Sequence, residues 1–309
     1  MKQKRKAANF LEVLNNELIK KIEETFNEKI ISKKALTTEV TLLSFKNQKL
    51  IVKIVSKKTN QIYEYLRSSQ FLNALYPIKK ITDNKAIFYL FNYLNSYEYP
   101  GEKKIIDMIS VIKELHEKTS FNVKLEESNF KYFYRIYRKL DNIFQTLEMF
   151  VRESEVKDNK SDFDWIILSK YHIFLDCKTT LYNLQRKIHK YLDNKGIAMY
   201  SLCHGNLTLD HFRQNKLLSF DHAYIGFFVS DYAKFYVSID HISGDYLKQI
   251  DKILSDYSNE FYLLYFKFMV LYIYMINLRL DSFYEHATIN VYLELSKRIA
   301  FFLKYVNKK

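Results

Sequence analysis

The residues between 201 and 236 include several polar side chains that could carry chemistry. Three histidines, three aspartates and one asparagine lie there among apolar residues: His204, Asn206, Asp210, His211, Asp221, His222 and Asp231. Polar groups in an apolar setting need hydrogen-bonding partners once they are buried. Their clustering therefore indicates a shared site.

A transition-metal site is one hypothesis for this cluster. Its ligands would be His204, Asp210, His211, Asp221 and His222, whose side chains are of metal-binding types. The spacing of six residues between His204 and His211 is not that of a familiar helical ligand pair. The hypothesis therefore explains fewer positions than the one that follows.

Three short motifs follow one another in the same stretch. They are His204-Gly205-Asn206, Ser219-Phe220-Asp221 and Asp231-Tyr232-Ala233. In type and spacing they resemble the catalytic segment of the aminoglycoside phosphotransferase and choline kinase families, including the spore-coat-associated kinase-like proteins of low-GC Gram-positive bacteria. That segment reads His-Gly-Asp-x-x-x-x-Asn, then Ile-Asp about ten residues later, then Asp-Leu-Ala.

The resemblance implies a role for each position of these motifs. Asp221 is the implied Mg²⁺ ligand, and His211 occupies the position of the second metal ligand. His204 and Asp231 are expected to be structural, with Asp231 bonding the backbone of the catalytic loop. The cofactor implied is ATP or GTP with Mg²⁺.

The resemblance extends to the N-terminal part of the chain. Leu50-Ile51-Val52-Lys53-Ile54 resembles the strand whose lysine contacts the nucleotide phosphates in kinase-like folds, and Glu64 is the implied helical partner of Lys53. Residues 33–39, which include Thr37 and Thr38, stand where the family has its phosphate-covering loop.

The chain departs from the family at three places. Asn206 replaces the catalytic aspartate, and an amide cannot usefully accept a proton. His211 replaces an oxygen ligand, although hard Mg²⁺ prefers oxygen. Residues 33–39 contain no glycine. Asp210 is the nearby carboxylate that could replace the missing base.

The elements that must position these residues follow from the apolar pattern. A helix is expected over residues 9–28, a strand hairpin over 37–45 and 50–55, a helix over 59–75, and a second strand pair over 78–82 and 86–93. Helical periodicity then dominates, apart from a short β-like stretch at 217–220. We predict an α+β, protein-kinase-like fold with a small β-rich N-terminal lobe (1–98), a larger helical C-terminal lobe (99–309), and the site in the cleft between them.

Composition and charge limit the classes of function. Only 5 glycines and 2 prolines occur, which favours helices over a many-stranded β fold. The net charge of +13 attracts anions such as nucleotides. Aromatic side chains with a basic N-terminus could also stack on single-stranded nucleic acid, but aromatics at helical spacing are more typical of a core, so nucleic acid is not favoured.

Cellular context follows from what the sequence does not contain. Two cysteines form no disulfide framework, the basic residues 2–6 precede no apolar signal segment, and the most apolar window, 261–280, is interrupted by Lys267 and Arg279. We therefore expect a cytoplasmic protein with no membrane span.

Two functions remain open at this point. One is a nucleotide-dependent phosphotransferase with weak or absent transfer to a small hydroxylated or amino-alcohol substrate. The alternative is a catalytically inactive pseudokinase that acts as a binding or structural, spore-coat-like protein. Asn206 is the residue that separates the two.

Overall fold

A computed structural model describes residues 14, 16–83, 86–95, 101–124, 127–242, 244–257, 259–278, 280 and 285–308. The basic residues 2–6, the predicted turn residues Asn84 and Lys85, and Pro100 fall outside these ranges. The contacts of the chain define two compact units. The first comprises residues 1–119 and 209–223, and the second comprises 120–208 and 224–309. The predicted division into lobes 1–98 and 99–309 differs from these units and stays a prediction.

A five-stranded antiparallel sheet forms the centre of the first unit. Its strands are β1 (Ser32–Ala35), β2 (Val40–Ser44), β3 (Lys49–Val55), β4 (Lys79–Asp83) and β5 (Ala86–Asn92), in the order β1-β2-β3-β5-β4. Both predicted strand pairs are confirmed. The first predicted strand was too long, because residues 37–39 form the turn between β1 and β2.

The leading helix covers one face of this sheet. Helix α1 (Asn16–Phe26) buries Leu18 and Ile22, which lie one turn apart and pack into a cluster with Leu43, Leu50 and Val52. Spacing of three to four residues brings such side chains to one face of a helix. The sheet is thereby fixed around its central strand β3.

Helix α2 (Lys57–Ser68) follows β3 directly. Ser56 caps its start, accepting a hydrogen bond from the Thr59 backbone N–H at 3.0 Å. The helix ends seven residues earlier than predicted, because Gln70 adopts a left-handed conformation with φ of 53° and turns the chain away.

Two further parts complete the first unit. The first is helix α3 (Gly101–Thr119), which buries an apolar stripe. The second is the segment 209–223, which contains a small hairpin between two 3₁₀ turns. Its elements are the first 3₁₀ turn (Leu209–His211), β8 (Phe212–Arg213), β9 (Lys216–Leu217) and the second 3₁₀ turn (Phe220–His222). The β-like stretch predicted at 217–220 is therefore strand only at its first residue.

The second unit is mainly helical. It contains α4 (Glu127–Val156), α5 (Asp162–Lys195), α6 (Val229–Ile239), α7 (Tyr246–Asp256), α8 (Glu260–Ile276) and α9 (Glu285–Val306). A three-stranded antiparallel sheet joins them, made of β6 (Phe121–Lys124), β7 (Ile197–Cys203) and β10 (Tyr224–Gly226) in the order β10-β7-β6. The apolar pattern of the sequence did not predict β6 or β7.

The core of the second unit is rich in aromatic rings. Phe227 lies within 6 Å, between ring centroids, of Phe133, Tyr200, Phe261 and Tyr265. Aromatic residues at helical spacing therefore serve the core, as the sequence indicated. Across the described residues, every helix is too short or too polar to cross a bilayer.

Candidate functional site

The centre of the candidate site is an ion pair between Lys53 and Asp221. Lys53 lies in the middle strand β3 and is only 8% exposed. Its Nζ atom bonds the Asp221 carboxylate and lies 3.5 Å from Ser219 Oγ. The sequence predicts that these two side chains face one cleft from opposite lobes, and in the structure they contact each other across 168 residues of sequence. Both lie in the first unit, however, rather than in opposite lobes.

Backbone hydrogen bonds fix the segment that carries Asp221. The Leu217 N–H donates to Asn73 O at 2.7 Å, and the Leu75 N–H donates to Leu217 O at 2.9 Å. Ser219 then turns the chain with φ of 61°, and the fully buried Phe220 anchors the turn that presents Asp221. The carboxylate is thus held by backbone geometry as well as by Lys53.

The predicted pairing of Lys53 with Glu64 is wrong. Glu64 is exposed on α2 and accepts a hydrogen bond from Asn60 Nδ2 at 2.7 Å. The buried face of α2 is formed by Thr59, Ile62, Tyr63 and Leu66. Helical periodicity places the next residue, Glu64, on the solvent side.

Tyr63 takes the position facing the site that Glu64 was expected to take. It is 3% exposed, and its ring packs edge-on against Phe220 at 5.8 Å. Burial raises the pKa of Tyr63, and the negative charge of Asp221 raises it further, so the hydroxyl stays protonated. The spacing of Thr59, Ile62, Tyr63 and Leu66 is the signal that could have identified it.

An apolar pocket of about 190 Å³ lies beside Lys53, entirely within the first unit. It is lined by Leu36, Val40, Ile51, Lys53, Tyr63, Leu75, Phe91, Asn92, Tyr93, Leu94, Arg213, Leu218 and Ser219. The Arg213 guanidinium donates to the backbone carbonyl of Leu94 at 3.2 Å and closes one side. Sequence reasoning missed Arg213, because nothing in its own neighbourhood indicates this contact.

The turn between β1 and β2 holds Thr37 and Thr38, which are both exposed. The N–H groups of Leu36 and Thr37 donate to Val40 O at 2.9 and 3.2 Å, and the Glu39 N–H donates to Thr37 Oγ1 at 3.2 Å. Much of the polar backbone of the turn is therefore used within the turn itself. Few of its N–H groups remain to bind an anion.

His211 and Asp210 lie in the first 3₁₀ turn of the segment 209–223. Burial lowers the pKa of His211, the nearby charges of Lys53 and His222 act in the same direction, and Asp210 and Asp221 oppose them. The imidazole is therefore neutral near pH 7. Asp210 is exposed.

The remaining predicted residues lie in the second unit, in a loop held by a buried carboxylate. Asp231 is fully buried and accepts hydrogen bonds from the His204 N–H at 2.6 Å and the Gly205 N–H at 2.9 Å. On the other side, Lys234 Nζ donates to Gly205 O at 3.0 Å. The loop is therefore fixed at its start.

Asn206 follows immediately and is exposed. Its backbone N–H donates to His204 Nδ1 at 3.4 Å, so the buried imidazole orders the peptide beside it. Gly205 adopts φ of 82°, a conformation that L side chains rarely take. His204 and Asp231 thus have the structural contacts expected of them, and Asn206 presents its amide to solvent.

The transition-metal hypothesis gains no support from this geometry. Among the residues that the structure describes, no three His, Cys, Asp or Glu side chains gather as metal ligands. The two cysteines, Cys177 and Cys203, are free and buried. The cluster noticed in the sequence is instead divided between the Asp221 segment and the loop at His204.

Comparison with known proteins identifies the fold. No protein-family model matches the chain, and no curated protein is similar in sequence. Among solved structures, an aminoglycoside phosphotransferase from Alicyclobacillus acidocaldarius superposes with a TM-score of 0.60 at 11% identity. The alignment covers 89% of this chain and 91% of that one.

A spectinomycin phosphotransferase in complex with ADP and spectinomycin superposes with a TM-score of 0.54 at 11% identity, over 93% of this chain and 98% of the other. The AMP complex of a spectinomycin phosphotransferase gives the same score at 12% identity, over 92% and 97%. The predicted α+β, protein-kinase-like fold is confirmed. At such low identity the likeness shows the fold alone.

Proposed function

We propose that this protein binds a nucleotide in the pocket beside Lys53, with Lys53 contacting the phosphates and Asp221 holding Mg²⁺. One observation carries the proposal: a buried lysine and a carboxylate 168 residues apart in sequence meet beside an apolar pocket. A buried ion pair is a weak source of stability. Its position beside a pocket therefore favours a binding role.

The pocket suits the base of a nucleotide. At about 190 Å³ it is smaller than the roughly 300–1,000 Å³ of sites that enclose a whole drug-sized ligand. Val40, Ile51 and Leu218 supply apolar walls for a planar ring, and Asn92 and Ser219 add polar residues to the lining. The phosphates would lie outside it, toward Lys53.

Of the two predicted metal ligands, Asp221 is better suited than His211 to bind Mg²⁺. Its carboxylate offers the hard oxygen atoms that Mg²⁺ prefers, and its side chain keeps 26% exposure. His211 is neutral and offers nitrogen, which makes it a poorer ligand. A bound Mg²⁺ would neutralise phosphate charge, while Lys53 would orient the same phosphates.

Transfer of the phosphoryl group is expected to be weak or absent. The Asn206 amide can hold a substrate oxygen by a hydrogen bond, but it cannot take the proton of a small hydroxylated or amino-alcohol acceptor. Positioning and charge stabilisation supply most of phosphoryl-transfer catalysis, so slow transfer could persist. Spectinomycin is the second ligand in one structural neighbour, which fits an acceptor of small hydroxylated type.

A pseudokinase is the second candidate function. Two observations favour it: the exposed amide of Asn206, and the turn at Thr37 whose backbone N–H groups bond within the turn. Such a protein would bind nucleotide, or a partner, without turnover and could serve a structural, spore-coat-like role.

Titration calorimetry with ATP or GTP, each with and without Mg²⁺, tests the binding site. We expect Lys53→Met to weaken binding at least tenfold and Asp221→Asn to remove the dependence on Mg²⁺. Lys79→Met, an exposed lysine on β4 of the same sheet, is the matched control and should bind as the wild type does. Absence of binding to the wild type at millimolar nucleotide would refute the proposal.

A turnover assay then separates the two functions. Restoring the base by Asn206→Asp should raise nucleotide hydrolysis by up to ~10²–10⁴ if only the base is missing. Brisk wild-type turnover that Asp210→Ala abolishes would show that Asp210 is the base. Unchanged binding with no gain in Asn206→Asp would identify a pseudokinase.

A further inference from the structure

A second cavity lies within the second unit, between three helices. Its walls come from the second half of α5, the middle of α8 and the end of α9, and its volume is about 500 Å³. Leu184, Leu264 and Val306 form its apolar part. This volume falls within the range of small-molecule sites, roughly 300–1,000 Å³.

Four cationic side chains line this cavity. Arg186, Lys187 and Lys190 come from α5, and Lys267 comes from α8. No carboxylate belongs to the described lining, and within the described residues none of the four cations forms an ion pair. Residues 186 and 190 lie one turn apart on one helix, where like charges repel. The cavity therefore concentrates positive charge, and its described lining holds no carboxylate to balance it.

Lys267 is the most unusual of the four. It interrupts the apolar helix α8, is partly buried, and places its Nζ atom 5.1 Å from the ring centroid of Tyr305. Burial lowers the pKa of Lys267, the charge of Lys187 lowers it further, and Asp251 and Glu260 oppose the shift. An anion beside Lys267 would offset the cost of keeping this ammonium out of water.

The polar groups at the edge of the cavity suit an anion of a particular kind. The Arg186 guanidinium is held by a hydrogen bond to the Asn183 side chain, and a guanidinium binds phosphate through two parallel hydrogen bonds. Asn307 and Thr180 add neutral hydrogen-bonding groups. Because four cations line one open cavity, with Lys267 partly buried at its wall, we expect the ligand to carry several negative charges.

We propose that this cavity binds a small anion with two or more phosphate groups. It is distinct from the pocket beside Lys53, since all of its lining belongs to the second unit. The proposal does not depend on the nucleotide proposal. It adds a second site for a phosphorylated small molecule to the chain.

Calorimetry with inorganic pyrophosphate, at constant ionic strength in chloride, tests the site. We expect one binding event in the wild type, and at least tenfold weaker binding both in Lys187→Gln/Lys190→Gln and in Lys267→Met. The matched control is Lys170→Gln, which removes a lysine from the same helix about 25 Å from position 187. Citrate, with similar charge but carboxylates, should bind more weakly than pyrophosphate.

The result in Lys53→Met separates the two sites. Pyrophosphate binding that persists in Lys53→Met and is lost in Lys267→Met supports the helical cavity. Binding lost in Lys53→Met alone would assign the anion to the other pocket and overturn the proposal. If Lys170→Gln weakens pyrophosphate binding as much as the cavity variants do, the weakening reflects the net charge of the protein. That result would also overturn the proposal.

Discussion

The buried carboxylate of Asp231 offers the sharpest test of how the loop at Asn206 is held. Asp231 accepts two backbone hydrogen bonds, from His204 and Gly205, and is fully buried. The substitution Asp231→Asn preserves the shape of the side chain. It leaves one oxygen acceptor and places an NH₂ donor against the second backbone N–H.

The expected cost follows from these two bonds. One backbone N–H loses its acceptor inside the protein, which costs about 1–3 kcal/mol. The other bond becomes neutral and loses about 1 kcal/mol of its charge-assisted strength. The sum is about 2–4 kcal/mol in the free energy of unfolding. In a unit of this size it corresponds to a drop in melting temperature of roughly 5–15 °C.

Calorimetric melting at pH 7 measures this effect. Asp193→Asn is the matched control, because Asp193 is exposed near the end of α5 and its substitution should change stability by no more than about 0.5 kcal/mol. A melting temperature for Asp231→Asn within 1–2 °C of the control would contradict the reasoning. The two backbone hydrogen bonds would then contribute little to holding the loop.

Two further predictions concern the second unit. Burial alone would raise the pKa of Asp164, but hydrogen bonds from Lys157 and Ser161 outweigh it and lower this pKa. The contribution of Asp164 to the free energy of unfolding is therefore complete above about pH 4 and is lost as the pH falls further. The melting temperature of Asp164→Asn should lie below that of the wild type at pH 5, and this difference should shrink between pH 5 and pH 2. Arg298 binds the buried carboxylate of Asp240, with Nε donating at 2.7 Å, and Arg298→Met should cost about 3–5 kcal/mol in urea unfolding. A loss of less than 1 kcal/mol in the free energy of unfolding would show that water solvates the Asp240 carboxylate in place of Arg298.

The local pattern of apolar and turn residues predicted the strands of the first unit better than those of the second. The two strand pairs of the first sheet could be predicted because alternating apolar residues flank clear turns. The strand β7 could not, because Ile197–Cys203 is a short, mostly apolar run directly after a long helix, and such a run fits helix and strand equally well. Its identity depends on pairing with β6 and β10, which no local pattern encodes.

The residues of the candidate site that belong to sequence motifs could be predicted. Lys53 and Asp221 could be paired from spacing and resemblance, and their side chains meet. Glu64 could not be placed correctly, because the choice between positions 63 and 64 depends on which face of α2 packs inward. The contact of Arg213 with Leu94 joins residues 119 apart and has no local signature.

The segment 209–223 has a consequence for how the protein is made. The unit built on the first sheet takes its last 15 residues from beyond position 208, after about half of the second unit has been synthesised. Until Asp221 leaves the ribosome, Lys53 has no carboxylate to meet, and the loop between Asn73 and Leu75 has no strand β9 to bond. Closing so long a loop slows folding, because chain entropy is lost before the contact forms. Completion of the sheet unit is therefore a late event in synthesis, although the sheet itself is encoded first.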